Sequence, residues 1–422
     1  MSSQKKIVIG LFGFGVVGEG IYKVLQKTPA LQARIKKICI KDPSKKRDAP
    51  AELFTTDYND LLEDEEINVI VELISNAKEA YTIVSTALIK NKSVVSANKK
   101  LIAAHLPRLI ELQRKHNVSF LYEAAVCGSI PIIRNLEEYY DNDLLQSICG
   151  IVNGSTNYIL TKIREENLDY QQALLQAQQR GFAEADPALD VEGKDAVNKL
   201  TILLAHAHGI ITDPNEILHR GITQIQNTDA IIALEKNVQI KLIAQAKKLA
   251  NNKIAAFVLP QFVTIESQLY NVRNEFNGVV IESSLSDKQF LYGKGAGRYP
   301  TSSAVLSDIS ALRYNYSYEY RKLNNPENRN ELSTDFYLKI YVSFKAWSDI
   351  DLNDFDFTEE IYCQRGRQYL TGVIHYEKLK NADWLSDNNV SVIVCPDGII
   401  ENTDTVKLKS TSLQLPGVEV LV

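Results

Sequence analysis

A glycine cluster near the start, Gly13-Phe14-Gly15-Val16-Val17-Gly18, narrows the possible folds more than any other stretch of the chain. It follows a short apolar run at residues 7–11 and opens the helical-looking stretch EGIYKVLQ. In a G-x-G-x-x-G between strand and helix, the first glycine permits a tight turn and the second lets the backbone approach a pyrophosphate. The third lets helix pack closely on strand, and the helix start offers unpaired amides and a positive dipole end. A glycine-rich turn with no ligand has the same letters, so the neighbouring pattern matters. Apolar runs recur at residues 34–40, 69–74 and 93–96, separated by segments such as 77–90 that can form amphipathic crossover helices. Strands alternating with helices of this length imply a parallel sheet, hence an α/β fold with a Rossmann-type nucleotide-binding domain.

The end of the second strand bears on the cofactor. A carboxylate there hydrogen-bonds the ribose hydroxyls of NAD, whereas basic residues accommodate a 2′-phosphate. The sequence reads Cys39-Ile40-Lys41-Asp42-Pro43-Ser44-Lys45-Lys46-Arg47. Lys41, Lys45, Lys46 and Arg47 favour NADP, and Asp42 keeps NAD open. Taken singly, any of these lysines reads as a solvated surface charge.

Composition removes other classes. With 422 residues, 45% hydrophobic and 23% charged, the chain can bury a large core. At roughly 150 residues each, about two to three domains are expected. Lys plus Arg is 47 and Asp plus Glu is 52, a formal charge of −5, so no basic excess exists to hold nucleic acid. The five cysteines (Cys39, Cys127, Cys149, Cys363, Cys395) contain no C-x-x-C, which suits free thiols in a reducing compartment. No run approaches the about 18 to 20 apolar residues of a membrane helix. The opening MSSQKKIVIG lacks a signal-peptide pattern, so a cytoplasmic protein with no membrane partner is expected.

After residue 135 the texture changes to a helix-rich stretch, residues 157–250, broken by the loop GFAEADPALDVEG. A polar, turn-rich segment, NNPENRNELSTD at residues 324–335, reads as a linker. Beyond it FYLKIYVSF, YLTGVIHY and VSVIVCP alternate like strands of a small final domain. Among the histidines only His206-x-His208 is closely spaced; residues two apart do not share a helix face, so the pair reads as structural.

Five further segments complete the pattern. They are Ser96-Ala97-Asn98-Lys99-Lys100, Glu123-Ala124-Ala125-Val126-Cys127-Gly128-Ser129-Ile130-Pro131, Gly150-Ile151-Val152-Asn153-Gly154-Ser155-Thr156-Asn157-Tyr158, GFAEADPALDVEGKDAVNKL at residues 181–200, and Gly293-Lys294-Gly295-Ala296-Gly297-Arg298-Tyr299-Pro300-Thr301. In order and spacing they closely resemble homoserine dehydrogenase, over residues 5–320, with residues 181–200 the most specific part. The resemblance implies NAD(P)-dependent interconversion of homoserine and aspartate 4-semialdehyde, on the route to threonine, methionine and isoleucine. It also implies a nucleotide domain at residues 1–135 completed by residues 300–323, an α+β catalytic and dimerisation domain at 136–299, and a homodimer or homotetramer acting on a small molecule. With the glycine cluster at residue 13, the expectation is a monofunctional enzyme with no aspartate kinase domain before it.

The residues also make chemical sense on their own. In Asp195-Ala196-Val197-Asn198-Lys199 a helix puts acid and amine on one face. An exposed pair at this spacing contributes only about 0.3 to 0.5 kcal/mol and is its usual meaning. The preceding loop, with Glu184, Asp186, Asp190 and Gly193, points elsewhere, because a substrate carrying ammonium and carboxylate needs both signs of charge in one pocket. Reducing an aldehyde leaves an oxygen that needs a proton or a positive charge beside it, and lysine can supply both. The resemblance assigns proton transfer to Lys199, and placement of substrate and water to Asp195 and Glu184, with Asp190 also at the substrate. Lys99, at a strand end where such sheets bind ligands, matches a functional lysine of the family; which lysine dominates stays open.

The resemblance further places Ser75, Lys99 and Gly297 beside the cofactor, with Gly13, Phe14, Gly15, Val16, Val17, Gly18 and Lys41. It implies a sodium site from Glu123 and the carbonyls of Val126, Gly128 and Ile130, hard oxygen donors that suit such an ion. Cys127 and Ser129 stand where the family usually has glycines. Many members end in a βαββαβ ACT domain, and residues 333–422 are expected to form a small ACT-like or degenerate α+β module. The segment Lys345-Ala346-Trp347-Ser348-Asp349-Ile350 lacks the effector loop rich in Asp, Pro and Gly. Two other readings compete: a related dehydrogenase acting on another amino-acid aldehyde, and a non-catalytic NAD(P)-binding sensor or scaffold. The set Glu184, Asp195 and Lys199 argues against the first, and only an activity measurement separates the second.

Overall fold

The computed structural model describes residues 6–141, 144–325, 329–364 and 366–402. Residues 1–5 of the opening segment, 326–328 of the linker and 403–422 of the terminal module lie outside the described residues. The chain divides into two compact units that interleave along the sequence. One comprises Met1–Gly154, Asp195–Glu216 and Glu275–Asn330; the other comprises Ser155–Lys194, Ile217–Asn274 and Glu331–Val422.

The first unit opens with β1 (Ile7–Phe12), α1 (Val16–Lys27), β2 (Ala33–Cys39), β3 (Phe54–Thr55) and α2 (Asn59–Leu62). It continues with β4 (Val69–Glu72), α3 (Ala77–Ile89), β5 (Ser93–Ser96), α4 (Lys99–His116) and β6 (Phe120–Leu121). These strands form one parallel sheet in the order β3-β2-β1-β4-β5-β6. β1, β4 and β5 are buried throughout, which is why they carry apolar residues on both faces instead of alternating, with Glu72, Ser93 and Ser96 as buried polar residues at the ends of β4 and β5. The strand order reverses between β1 and β4, where the following loops part and leave a crevice at the carboxyl edge. The side chains of Asn76 and Asn98 cap α3 and α4 by accepting backbone N–H groups.

The chain then runs through α5 (Ile132–Glu138), β7 (Leu145–Ile151), α6 (Gly154–Glu166), α7 (Tyr170–Gln179), α8 (Ala188–Val191) and α9 (Lys194–His208). Next come β8 (Leu218–His219), α10 (Asn227–Glu235), β9 (Gln239–Lys248), β10 (Lys253–Val263), β11 (Phe276–Ser283), β12 (Asp287–Lys294), α11 (Arg298–Leu312) and β13 (Glu331–Leu332). Within the first unit β12, β11 and β7 pair antiparallel. α11 lies on α1, so closely that a Cβ on Gly20 would stand 2.4 Å from Ser302 Oγ.

In the second unit β9 and β10 form a long antiparallel hairpin that turns through Asn251 and Asn252 at positive φ. The helix-rich reading extended to residue 250, but residues 239–248 are a strand. Their Lys, Ala and Gln favour helix; tertiary context overrides that preference, because residues 240–244 are buried and all ten residues pair with β10. The described chain closes with β14 (Tyr337–Phe344), β15 (Phe355–Gln364), β16 (Arg367–His375), α12 (Tyr376–Asn381) and β17 (Ser391–Ile400). They pair antiparallel in the order β17-β14-β16-β15. Two short 3-10 turns, Trp347–Asp349 and Leu352–Asp354, stand between β14 and β15 in place of a helix.

β17 meets β10 at Val394 and Gln261. One apolar core runs from Phe257 and Leu259 of β10 through Phe336, Leu338 and Ile340 to Leu370 and Val392. That shared core joins the terminal strands to the hairpin in one unit. All five cysteines are free thiols, and no helix among the described residues is long and apolar enough to cross a membrane.

Candidate active site

The glycine turn has the geometry its three glycines require. Gly13 adopts φ 94°, and a Cβ there would stand 3.0 Å from Leu73 O. A Cβ on Gly18 would stand 2.4 Å from Gly13 O, so α1 seats on the turn only because the third position is bare. A Cβ on Gly15, in contrast, would meet nothing within 4 Å. That open space fronts the N-terminus of α1, which no side chain caps. Unsatisfied amides facing open space beside a sheet crevice fit a dinucleotide pyrophosphate. The Phe14 ring meets Phe54 and Tyr22 edge-on at 5.2 and 5.9 Å between centroids.

After β2, the Asp42 carboxylate accepts from Ser44 N–H at 2.9 Å and Ser44 O–H at 2.6 Å, bonds that lower its pKa. Arg47 stands 5.6 Å over the Phe54 ring and donates to Asp42 O at 2.7 Å. Lys41, Lys45 and Lys46 are exposed. Ser75 is exposed on the loop after β4, and Gly297, at φ 119°, precedes α11.

Three of the charged residues singled out from the sequence come together in the first unit. Lys99 is the first residue of α4, directly after β5, while Asp195 and Lys199 lie one turn apart at the start of α9. Lys199 Nζ pairs with Asp195 Oδ2 at 2.8 Å, and Lys99 Nζ pairs with Asp195 Oδ1. Asn153 Nδ2 also donates to Asp195 Oδ2 at 2.8 Å. Lys199 Nζ donates to Val152 O at 2.6 Å, an oxygen that accepts a second bond from Asn277 Nδ2 at 3.1 Å. The Asp195 side chain is 2% exposed, Lys199 9% and Lys99 36%, so this is no surface ion pair. Burial alone would raise the Asp195 pKa; the two ammonium groups outweigh it and hold the carboxyl well below the usual range.

Glu184 and Asp190 belong to the second unit. Glu184 is exposed on the loop between α7 and α8, where its carbonyl accepts from Gln178 Nε2 at 3.0 Å. Asp190 is half-buried on α8. The end of α8 is held on residues 220–222: Ile222 N–H donates to Val191 O at 2.8 Å, and a Cβ on Gly221 would stand 1.7 Å from that oxygen.

The segment read as a cation loop follows β6. Glu123 is buried, and its two carboxylate oxygens accept from Ile133 N–H at 2.8 Å and Arg134 N–H at 2.9 Å, capping α5. The Glu123 N–H donates to Asp308 Oδ2 at 2.9 Å, and Arg134 Nη2 to Asp308 Oδ1 at 3.2 Å. Burial pushes Glu123 up to about 7; burial and the Glu123 charge push Asp308 up to about 8. Were both carboxyls ionised, their two charges against the one Arg134 guanidinium would leave one negative charge. The Ile130 carbonyl already accepts from Ile132 N–H at 2.9 Å, and Gly128 turns at φ 55°. No group of three or more His, Cys, Asp or Glu among the described residues could hold a metal, so an ion here depends on carbonyl donors.

Neither Asn153 nor Asn277, which bond to Asp195 and to the Val152 carbonyl, is among the site residues expected from the sequence. Asn153 carried a signal, an Asn-Gly directly after a strand; Asn277 sits mid-strand and carried none. His206 is structural, as its spacing implied: Nδ1 bonds Glu137 Oε1 at 2.6 Å and Nε2 bonds Tyr122 OH at 2.8 Å.

The homoserine dehydrogenase family profile matches residues 131–310, and the profile for the NAD binding domain of homoserine dehydrogenase matches residues 13–123. A homoserine dehydrogenase of Bacillus subtilis is 33% identical over 382 residues, covering 86% of each chain. The chain belongs to the homoserine dehydrogenase family. Two solved homoserine dehydrogenases agree in fold. That of Thiobacillus denitrificans has a TM-score of 0.80 at 28% identity, covering 93% of this chain and 98% of its own. A hyperthermophilic archaeal one in complex with NADPH has a TM-score of 0.63 at 28% identity, covering 74% of this chain and 99% of its own. As a homoserine dehydrogenase the protein is an NAD(P)-dependent oxidoreductase that interconverts homoserine and aspartate 4-semialdehyde in amino-acid biosynthesis.

Proposed function

We propose that Lys199, Asp195 and Lys99 act at the reacting end of the substrate, with Lys199 as the proton-transfer group. The observation that carries this reading is one buried carboxylate bridging two lysines, close to where the parallel sheet ends at β5. The nicotinamide of the bound cofactor supplies a hydride to the aldehyde carbon. Lys199 Nζ gives a proton to the aldehyde oxygen, so hydride plus proton complete the alcohol, and in oxidation the same amine takes the proton back. Asp195, Asn153 and Val152 O fix the direction in which the Lys199 amine points. Lys99 adds a second positive charge near the oxygen that gains charge. Replacing Lys199 by Ala is expected to lower kcat for aspartate 4-semialdehyde by about 10²- to 10⁴-fold with NADPH binding intact. Turnover within a few-fold of the parent enzyme would remove Lys199 from this role and revive the sensor or scaffold reading.

NADP is the preferred cofactor on this reading, because the Asp42 carboxylate is engaged by Ser44 while Lys41, Lys45 and Lys46 stay free to meet a 2′-phosphate. Expected is a kcat/KM for NADPH at least about tenfold that for NADH, one well-placed charge contact's worth; equal values would contradict it. Sodium, held by Glu123 and the carbonyls of Val126, Gly128 and Ile130, would favour the ionised form of Glu123 within its cluster with Asp308 and Arg134. The terminal strands follow the order of a split βαβ sheet with its first helix lost, which supports a degenerate ACT-like module. A cytoplasmic homodimer or homotetramer completes the proposal.

A further inference from the structure

Glu72 is the last residue of β4 and is fully buried, yet none of the chemistry above uses it. The parallel register sets it opposite Ser96, the last residue of β5. Its Oε2 accepts from Ser96 Oγ at 2.6 Å and its Oε1 from Ile74 N–H at 2.7 Å. Ser96 Oγ in turn accepts from Asn98 N–H at 3.1 Å, and Asn98 Nδ2 donates to Ile74 O at 3.0 Å. The four residues thus close a ring across the ends of two strands. The remaining amide oxygen of Asn98 accepts from Leu101 N–H at 3.1 Å and so starts α4, whose first residue is Lys99.

We infer that Glu72 is a positioning residue for the reaction: through Ser96 and Asn98 it fixes the start of α4 and so aims the Lys99 amine at Asp195. The inference rests on the reading that Lys99 acts at the site. A backbone turn alone would not hold Lys99 this way. The side chain of a helix's first residue swings with the cap geometry, and here the cap residue is itself tied on both sides of its amide and at its N–H. A carboxylate is the group that fits, because it accepts from the hydroxyl and the backbone amide at once; a neutral amide in its place has one acceptor oxygen. Keeping it there is unfavourable for stability, since burial pushes its pKa up to about 7 and an apolar side chain would avoid that desolvation. Its place at the strand end, bonded through Ser96 to the cap residue that precedes Lys99, is accounted for by positioning.

A double-mutant cycle on the full-length enzyme tests this. Glu72→Gln, Lys99→Ala and the double variant are compared in kcat for aspartate 4-semialdehyde with saturating NADPH, alongside thermal unfolding. Glu72→Gln is expected to lower kcat roughly ten- to a hundredfold, the scale of a misplacement near 1 Å, in protein that still unfolds cooperatively. In the Lys99→Ala background the same change should cost less than about threefold, because residues acting through one interaction are not additive. Full additivity, or unchanged kcat in Glu72→Gln alone, overturns the inference. Unchanged kcat in Lys99→Ala overturns the site reading instead. Should Glu72→Gln fail to fold, Ser96→Ala breaks the same ring and runs the same cycle.

Discussion

At the scale of single residues, burial separates groups that look alike in the sequence. Lys99, Lys199 and Lys241 are three lysines among many, yet each has a different environment. Lys199 and Lys99 share a carboxylate. Lys241, on β9, is 1% exposed and donates to Val272 O at 2.6 Å and Asn157 Oδ1 at 3.1 Å. Burial pushes its pKa down to about 7, against an ordinary value near 10.4. Between those two values the unfolded chain holds a proton that the folded chain has released, so stability should rise with pH across that window. The gap in urea midpoint between the parent and Lys241→Met is therefore expected to change in the parent's favour from pH 7 to pH 9.5. A gap that stays constant would show that Lys241 keeps its proton when buried. Nothing in QIKLIAQAKK announced this, because a lysine's environment is set by what packs over it.

At the scale of elements, the glycine turn was legible because its three roles are backbone roles, written directly in residue type. The structure distinguishes them by what a methyl group would meet. Gly18→Ala is expected to destabilise the enzyme by about 1 to 3 kcal/mol, since the added Cβ presses on Gly13 O and cannot relax. Gly15→Ala meets open space, so its Tm should match the parent while the KM for NADPH rises. Thermal unfolding with and without NADPH separates the two; equal Tm losses would mean that Gly15 has a packing role. The strand β9 was not legible. Its Ala, Lys and Gln are good helix formers, and only the partner strand β10, which local sequence cannot show, decided between helix and strand.

At the scale of the whole molecule, the terminal strands look like a separable module in the sequence and share a core in the structure. The archaeal relative spans 99% of its own length against 74% of this chain, so a homoserine dehydrogenase can be shorter. In this chain, however, Phe257 and Leu259 of β10 pack in one cluster with Phe336, Leu338 and Ile340. A chain ending at residue 330 would uncover that face, and exposed apolar surface of this kind drives association. Its expression is expected to yield aggregated protein with no semialdehyde-dependent NADPH oxidation. A soluble, active product of that length would show the second unit to be complete without its last strands.

The sequence by itself determined the cofactor fold, the family and the pairing of Asp195 with Lys199. Each of these is local: a turn of fixed glycine roles, a set of ordered motifs, and two residues one helical turn apart. Tertiary structure alone decided that Lys99, nearly a hundred residues away, shares the Asp195 carboxylate, that Asn153 and Asn277 complete its surroundings, and that Glu72 holds the start of α4. It also decided that the last strands join an earlier hairpin. Those facts depend on which distant segments meet and how much water they exclude, and a local pattern carries neither.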